Sequence, residues 1–137
     1  MILYVLSGLP GAGKTTRALE ISHAKGAILL CRDELRVSYR SVVDEGHLTL
    51  IMASQARSFL QHGYDVVVDS WNLTEGDEAL WHELARECAC AIRWIHLTTP
   101  VELCVERDAT RPLSIGAECV RGTAMEFAAR LVKLSEV

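Results

Sequence analysis

Residues 8–15 read Gly8-Leu9-Pro10-Gly11-Ala12-Gly13-Lys14-Thr15, and this stretch decides the fold. The pattern G-x-x-x-x-G-K-T is a phosphate-binding loop. Its glycines let the backbone curl without a Cβ clash. The backbone N–H groups of Gly8, Gly11, Ala12, Gly13 and Thr16 are thereby offered to an anion held in one concavity. Lys14 adds a mobile positive charge for the outer phosphates, and the Thr15 hydroxyl is suited to Mg²⁺. The flanks agree. Ile2-Leu3-Tyr4-Val5-Leu6 is a strand-like apolar run, and Thr15-Thr16-Arg17-Ala18-Leu19-Glu20-Ile21 continues as a helix. The helix N-terminus, with its partial positive charge, then lies at the phosphates. The chain is expected to bind a nucleoside triphosphate. What receives the phosphate must be read elsewhere.

Outward from the loop, short apolar runs alternate with helical stretches. Strands are expected at 2–6, 27–31, 64–69 and 91–97. Helices are expected at 14–23, 33–38, 46–61, 75–88, 100–108 and 117–134. Gly63 is placed as the residue that closes the third helix. Thr99-Pro100 is placed as the N-cap and first residue of the fifth. Met125, Phe127, Leu131 and Leu134 read as a core-facing stripe. Strands separated by helices predict an α/β fold, a central parallel sheet of about four strands flanked by helices. Ligands bind beyond the strand C-termini of such sheets. The loop at 8–15, Arg32-Asp33, Asp69-Ser70 and Thr98-Thr99 are therefore expected to converge.

The 137 residues, half of them hydrophobic, suit one domain over 1–137 with its own core. No run approaches the ~18 apolar residues of a membrane span. Met1-Ile2-Leu3-Tyr4 lacks a basic leader, which predicts an intracellular, cytoplasmic protein. The five cysteines include no C-x-x-C pair, so all are read as reduced thiols. The five histidines are scattered without metal-binding spacing. The net charge of −4 advertises no basic stripe. A polynucleotide substrate would thus be gripped locally, at an end.

Three further clusters bear chemistry. Asp33 follows a strand end and opens a helix, where a carboxylate could take the proton of an attacking hydroxyl. Arg36 shares its helical face and could hold a substrate phosphate. The plainer alternative is an exposed ion pair at a helix start. Asp69 ends an apolar strand as a magnesium-binding acid does, or else caps a turn. Trp71 and Asn72 follow it. Trp71 could stack on a base or simply fill a loop. Arg107 and Arg111 flank a helix end, and Pro112 forces a turn there. They suit a phosphoryl-transfer lid, or else merely decorate a helix C-terminus.

Taken together, these residues resemble the phage and bacterial polynucleotide 5′-hydroxyl kinases. Gly8–Thr15 matches the family's P-loop. Arg32-Asp33-Glu34-Leu35-Arg36 is similar to its R-D-D-x-R element, and Asp69-Ser70-Trp71-Asn72-Leu73 to its D-T-N-L element. Glu102-Leu103 with Arg107 and Arg111 looks like its E-L-x-x-x-R-x-x-x-R lid. The resemblance covers nearly the whole chain, and its R-D-x-x-R element and paired lid arginines are more specific than the P-loop.

The resemblance implies a Mg²⁺-dependent transfer of the γ-phosphoryl of ATP, or another NTP, to a 5′-OH end of DNA or RNA. Lys14 and Thr15 would serve phosphates and metal, with Asp69 as a second metal ligand. Asp33 would be the general base, and Arg36 would clamp the phosphate 3′ of the first nucleoside. Arg107 and Arg111 would touch donor phosphates. Trp71, Asn72 and Leu113 would line the acceptor side. Two departures stand out: Ser70 and Trp71 take the place of the Thr, and residues 112–116 are shorter than the expected lid. No D-x-D-x-T acid pair occurs, so no 3′-phosphatase is expected. Two rivals remain: a P-loop kinase for a small acceptor (sugar, antibiotic or nucleotide), and a non-catalytic NTP-binding switch.

Overall fold

The structure, a computed structural model, describes residues 1–39 and 43–135. Four strands form one parallel sheet in the order β2-β3-β1-β4: β1 (Ile2–Ser7), β2 (Ile28–Cys31), β3 (Val66–Asp69) and β4 (Ala91–His96). Parallel pairing needs a crossover between strands. Here α1 (Lys14–Lys25), the pair α2 (Arg32–Tyr39) and α3 (Glu45–Gln61), and α4 (Glu75–Glu87) supply the three crossovers. The α/β fold with its central parallel sheet is as the alternating pattern predicts.

Side-chain alternation on the two inner strands builds a layer on each face. Leu3, Val5, Val66 and Val68 face α3 and α4, meeting Met52, Leu60 and Leu84. Tyr4, Leu6 and Val67 face α1, meeting Ala18 and Ile21. Each fully buried aliphatic side chain is worth roughly 2 kcal/mol of transfer free energy. Both faces of β1 and β3 are covered, which explains their unbroken apolar runs.

The third strand begins at Val66, later than expected. Tyr64 belongs to the turn after α3, where its N–H donates to the Phe59 carbonyl and its ring meets Phe59 edge-on. Gly63 (φ 90°) does close α3. Pro100, not Thr99, occupies the N-cap of α5 (Val101–Ala109). Thr99 instead donates its hydroxyl to the Ala12 carbonyl, 2.8 Å away, bracing the P-loop from behind.

The expected helix at 117–134 is two helices, α6 (Ala117–Glu126) and α7 (Ala128–Ser135), meeting at Phe127. Within α6 the Thr123 hydroxyl donates back to the Cys119 carbonyl, a bond that favours bending. Phe127 and Leu131 turn onto the cluster of Leu9, Leu73, Cys104 and Val120, while Met125 is left 79% exposed. The stripe through Met125 is thus corrected by the break in direction. No helix among the described residues is long and apolar enough to cross a membrane.

Candidate active site

The P-loop is part of the core. Leu9 and Ala12 are buried against Cys104 of α5 and Val120 of α6. Gly11 (φ 80°) presses so closely on α5 that an added Cβ would lie 2.2 Å from the Cys104 carbonyl oxygen. Only glycine fits such a position. Lys14 opens α1 and is 8% exposed. Its Nζ donates to the Leu9 carbonyl at 2.6 Å. Burial, chiefly, pulls its pKa down to about 8; Arg111 adds to the fall, while Asp69 opposes it. A group so poised gains from a polyanion that replaces the lost water.

Thr15 donates its hydroxyl to Asp69 Oδ2 across 2.8 Å, joining the start of α1 to the end of β3. Two hard oxygens from adjacent elements fit Mg²⁺, which prefers few protein ligands alongside phosphates and water. Among the described residues no group of three or more His, Cys, Asp or Glu side chains could hold a metal ion.

Facing them across one cleft of about 870 Å³ are Asp33 and Arg36 of α2, with Arg107, Arg111 and Leu113 at the lid side. Arg36 Nη1 bonds Asp33 Oδ1, so the exposed ion pair of the plainer reading does form. It forms inside the cleft, where both groups also face the P-loop. Glu45, absent from the expected site, joins them. Its carboxylate takes Arg36 Nε at 2.6 Å and Nη2 at 3.1 Å. It also takes Arg32 Nε at 3.0 Å. Bonds from Arg36 and Arg32 hold the Glu45 carboxyl below its usual range, and Glu45 in turn raises Arg36. The Cys31 thiol in the cleft wall is pushed up to about 11 by burial and stays protonated near neutrality.

Arg107 Nη1 reaches the Ala12 carbonyl at 3.4 Å, so it lies over the loop. Arg111 Nε sits 3.0 Å from Asp108 Oδ1, close enough to pair but without hydrogen-bond alignment. Asp108 has no exposed surface. It accepts bonds from Ser114 Oγ (2.9 Å), Ile115 N (3.3 Å) and Gly116 N (3.0 Å). Burial works to raise its pKa, but these bonds and Arg111 outweigh burial and leave it lowered. One carboxylate thus fixes the whole turn after α5. Spacing gave no sign of this, because Asp108 looked like a spacer between two arginines.

Asn72 lines the cleft but is 3% exposed. Its Nδ2 donates to the Leu6 carbonyl at 2.7 Å, and its Oδ1 accepts from Trp81 Nε1 at 2.9 Å. With φ 49° it turns the chain from β3 toward α4. Its amide, expected on the acceptor side, has partners in the fold at both its nitrogen and its oxygen. Trp71, at 38% exposure, and Leu113, at 54%, both present apolar surface to the cleft.

A family model described as AAA domain matches residues 3–134. The chain belongs to this AAA-domain family. No curated protein matches it. Among solved structures, this AAA domain is similar to a chain of the Pnkp1/Rnl/Hen1 RNA repair complex (TM-score 0.79, 21% identity) over 98% of its own length. It spans 45% of that chain, less than two thirds of it. It is also similar to the Mycobacterium tuberculosis APS kinase CysC in complex with AMPPNP and APS (TM-score 0.66, 20% identity, 79% of this chain and 68% of that one). A gluconokinase from Sinorhizobium meliloti 1021 matches with TM-score 0.64 at 17% identity, covering 90% and 73%. What is shared with these structures is the fold, an α/β domain on a four-stranded parallel sheet.

Proposed function

We propose that this AAA domain is a polynucleotide 5′-hydroxyl kinase, transferring the γ-phosphoryl of ATP or another NTP to the 5′-OH end of DNA or RNA. One observation carries the reading: Asp33 and Arg36 line the same cleft as Lys14, Thr15 and Asp69. On this reading a carboxylate and a guanidinium face the P-loop, suited to serve as base and as phosphate-binding cation. The likeness to a chain of an RNA repair complex supports it. We place the reaction in the cytoplasm, where NTPs and nucleic-acid ends meet.

The P-loop N–H groups and Lys14 hold the donor phosphates. Thr15 and Asp69 would hold Mg²⁺, which when bound would supply neutralisation of phosphate charge. Asp33 accepts the proton of the 5′-hydroxyl as its oxygen attacks the γ-phosphorus. The bond from γ-phosphorus to the bridging oxygen breaks, and ADP leaves. Arg36 binds the acceptor phosphate 3′ of that nucleoside. Arg107 and Arg111 balance charge on the transferring group. Alignment and charge neutralisation supply most of the rate, because the transition state is loose.

A rival keeps the donor chemistry and replaces the acceptor with a small neutral alcohol. It draws support from Arg36, which already carries Asp33 and Glu45, and from the net charge of −4. The test is transfer of label from γ-labelled ATP with Mg²⁺. The acceptors are 5′-OH DNA and RNA oligomers and a nucleoside lacking a 3′-phosphate. The proposal expects labelled oligomers and a poor nucleoside; equal rates on both would favour the rival.

A further inference from the structure

Arg36 is a side chain on the exposed face of a short helix, where its partner within α2 is Asp33. The structure fixes it from the neighbouring helix. Glu45, in the first turn of α3, receives Arg36 side-on through Nε and Nη2. Glu45 is itself held by Arg32, which bonds its carboxylate at 3.0 Å and its backbone carbonyl at 2.6 Å. Arg32 is anchored further by Thr49 Oγ1 at 2.8 Å, and its side chain is only 19% exposed. The chain of contacts runs from a half-buried anchor, through Glu45 and Arg36, to Asp33.

A guanidinium has five N–H donors. Glu45 takes one from Nε and one from Nη2, and Asp33 takes one from Nη1. One N–H on each terminal nitrogen has no partner among the described residues. Arg36 is thus held through three of its donors, and the other two are left for a further anion.

We propose that Glu45 is a positioning residue, holding Arg36 so that its remaining donors meet the phosphate of the acceptor beside Asp33. This rests on the kinase reading for the identity of the acceptor. Glu45 also offsets one positive charge, so two effects oppose each other on its removal. Loss of positioning weakens phosphate binding; loss of a competing carboxylate would strengthen it. The Arg32 anchor decides in favour of positioning, because Glu45 is not free to swing aside.

The experiment is a double-mutant cycle read by calorimetric binding of a nucleoside 3′-monophosphate, without turnover. Arg36→Ala and Glu45→Ala should each weaken binding about tenfold, and the double variant should lose no more than Arg36→Ala alone. Glu45→Gln, which keeps one acceptor oxygen, should fall between Glu45→Ala and the parent. ATP affinity and melting temperature should stay level in all of them, which a merely structural role would not predict. Unchanged or tighter binding in Glu45→Ala would overturn the inference, as would additive losses in the double variant. Failure of the parent to bind the ligand would overturn it too. Binding that obeys the cycle without transfer to any 5′-OH would overturn the kinase reading alone.

Discussion

Lys14 stands on a loop whose Leu9 and Ala12 belong to the core, and it is 8% exposed. Asp33 and Arg36 stand on α2, a helix with no buried residue, their side chains 39% and 41% exposed. Both walls face one cleft. The P-loop wall is held by packing and the α2 wall by a polar network. Changes in the first should therefore disturb stability along with function. Changes in the second should alter function and leave stability nearly intact.

The largest effect expected is at Asp33. Asp33→Ala should lower transfer about 100-fold to 10,000-fold, the range for a lost general base. Its melting temperature should stay close to the parent's, as for an exposed ion pair. A matching collapse in thermal denaturation would break the comparison. Next is Gly11→Ala on the opposite wall. Its Cβ would run into the Cys104 carbonyl, and φ is 80°. A loss of roughly 3 kcal/mol or more in denaturant unfolding is expected. A stable, nucleotide-binding Gly11→Ala protein would show that the loop is not seated as described.

Asp108→Ala comes third. It leaves Ser114, Ile115 and Gly116 without their common acceptor and Arg111 without its paired charge. Losing the bonds that a buried carboxylate accepts should cost about 1–3 kcal/mol, readable by urea unfolding. Because Asp108 also orients Arg111, kcat should fall more than ATP affinity. An unchanged kcat would separate the turn from the chemistry.

The smallest effect is a pH trend at Lys14. Its folded pKa of about 8 lies below the ordinary 10.5. Between those values the unfolded chain binds the extra proton, so stability should rise with pH there. ATP affinity should fall over the same window as the cation is lost. Titrating both quantities in parallel checks the sign; parallel rather than opposed trends would contradict the burial of Lys14.

What the sequence revealed follows the range of the interactions. The P-loop and the acid at Asp69 are legible because loop geometry and strand ends are local. Glu45 and Asp108 are not, since their meaning lies in contacts with another helix and with a turn that only the folded chain brings near. The structural part of Asn72 is hidden for a related reason: its left-handed backbone and its bonds to Leu6 and Trp81 reach residues that only the folded chain brings near. Met125 fits a helical stripe only if residues 117–134 run straight, and the turn at Phe127 removes that condition.

On the proposed reading, the α2 wall recognises a phosphate next to the reacting hydroxyl. The most direct measurement is kcat/KM for a nucleoside 3′-monophosphate divided by that for the plain nucleoside, in the parent and in Arg36→Ala. The ratio should be large in the parent and collapse toward one in the variant. A ratio near one in the parent would contradict it.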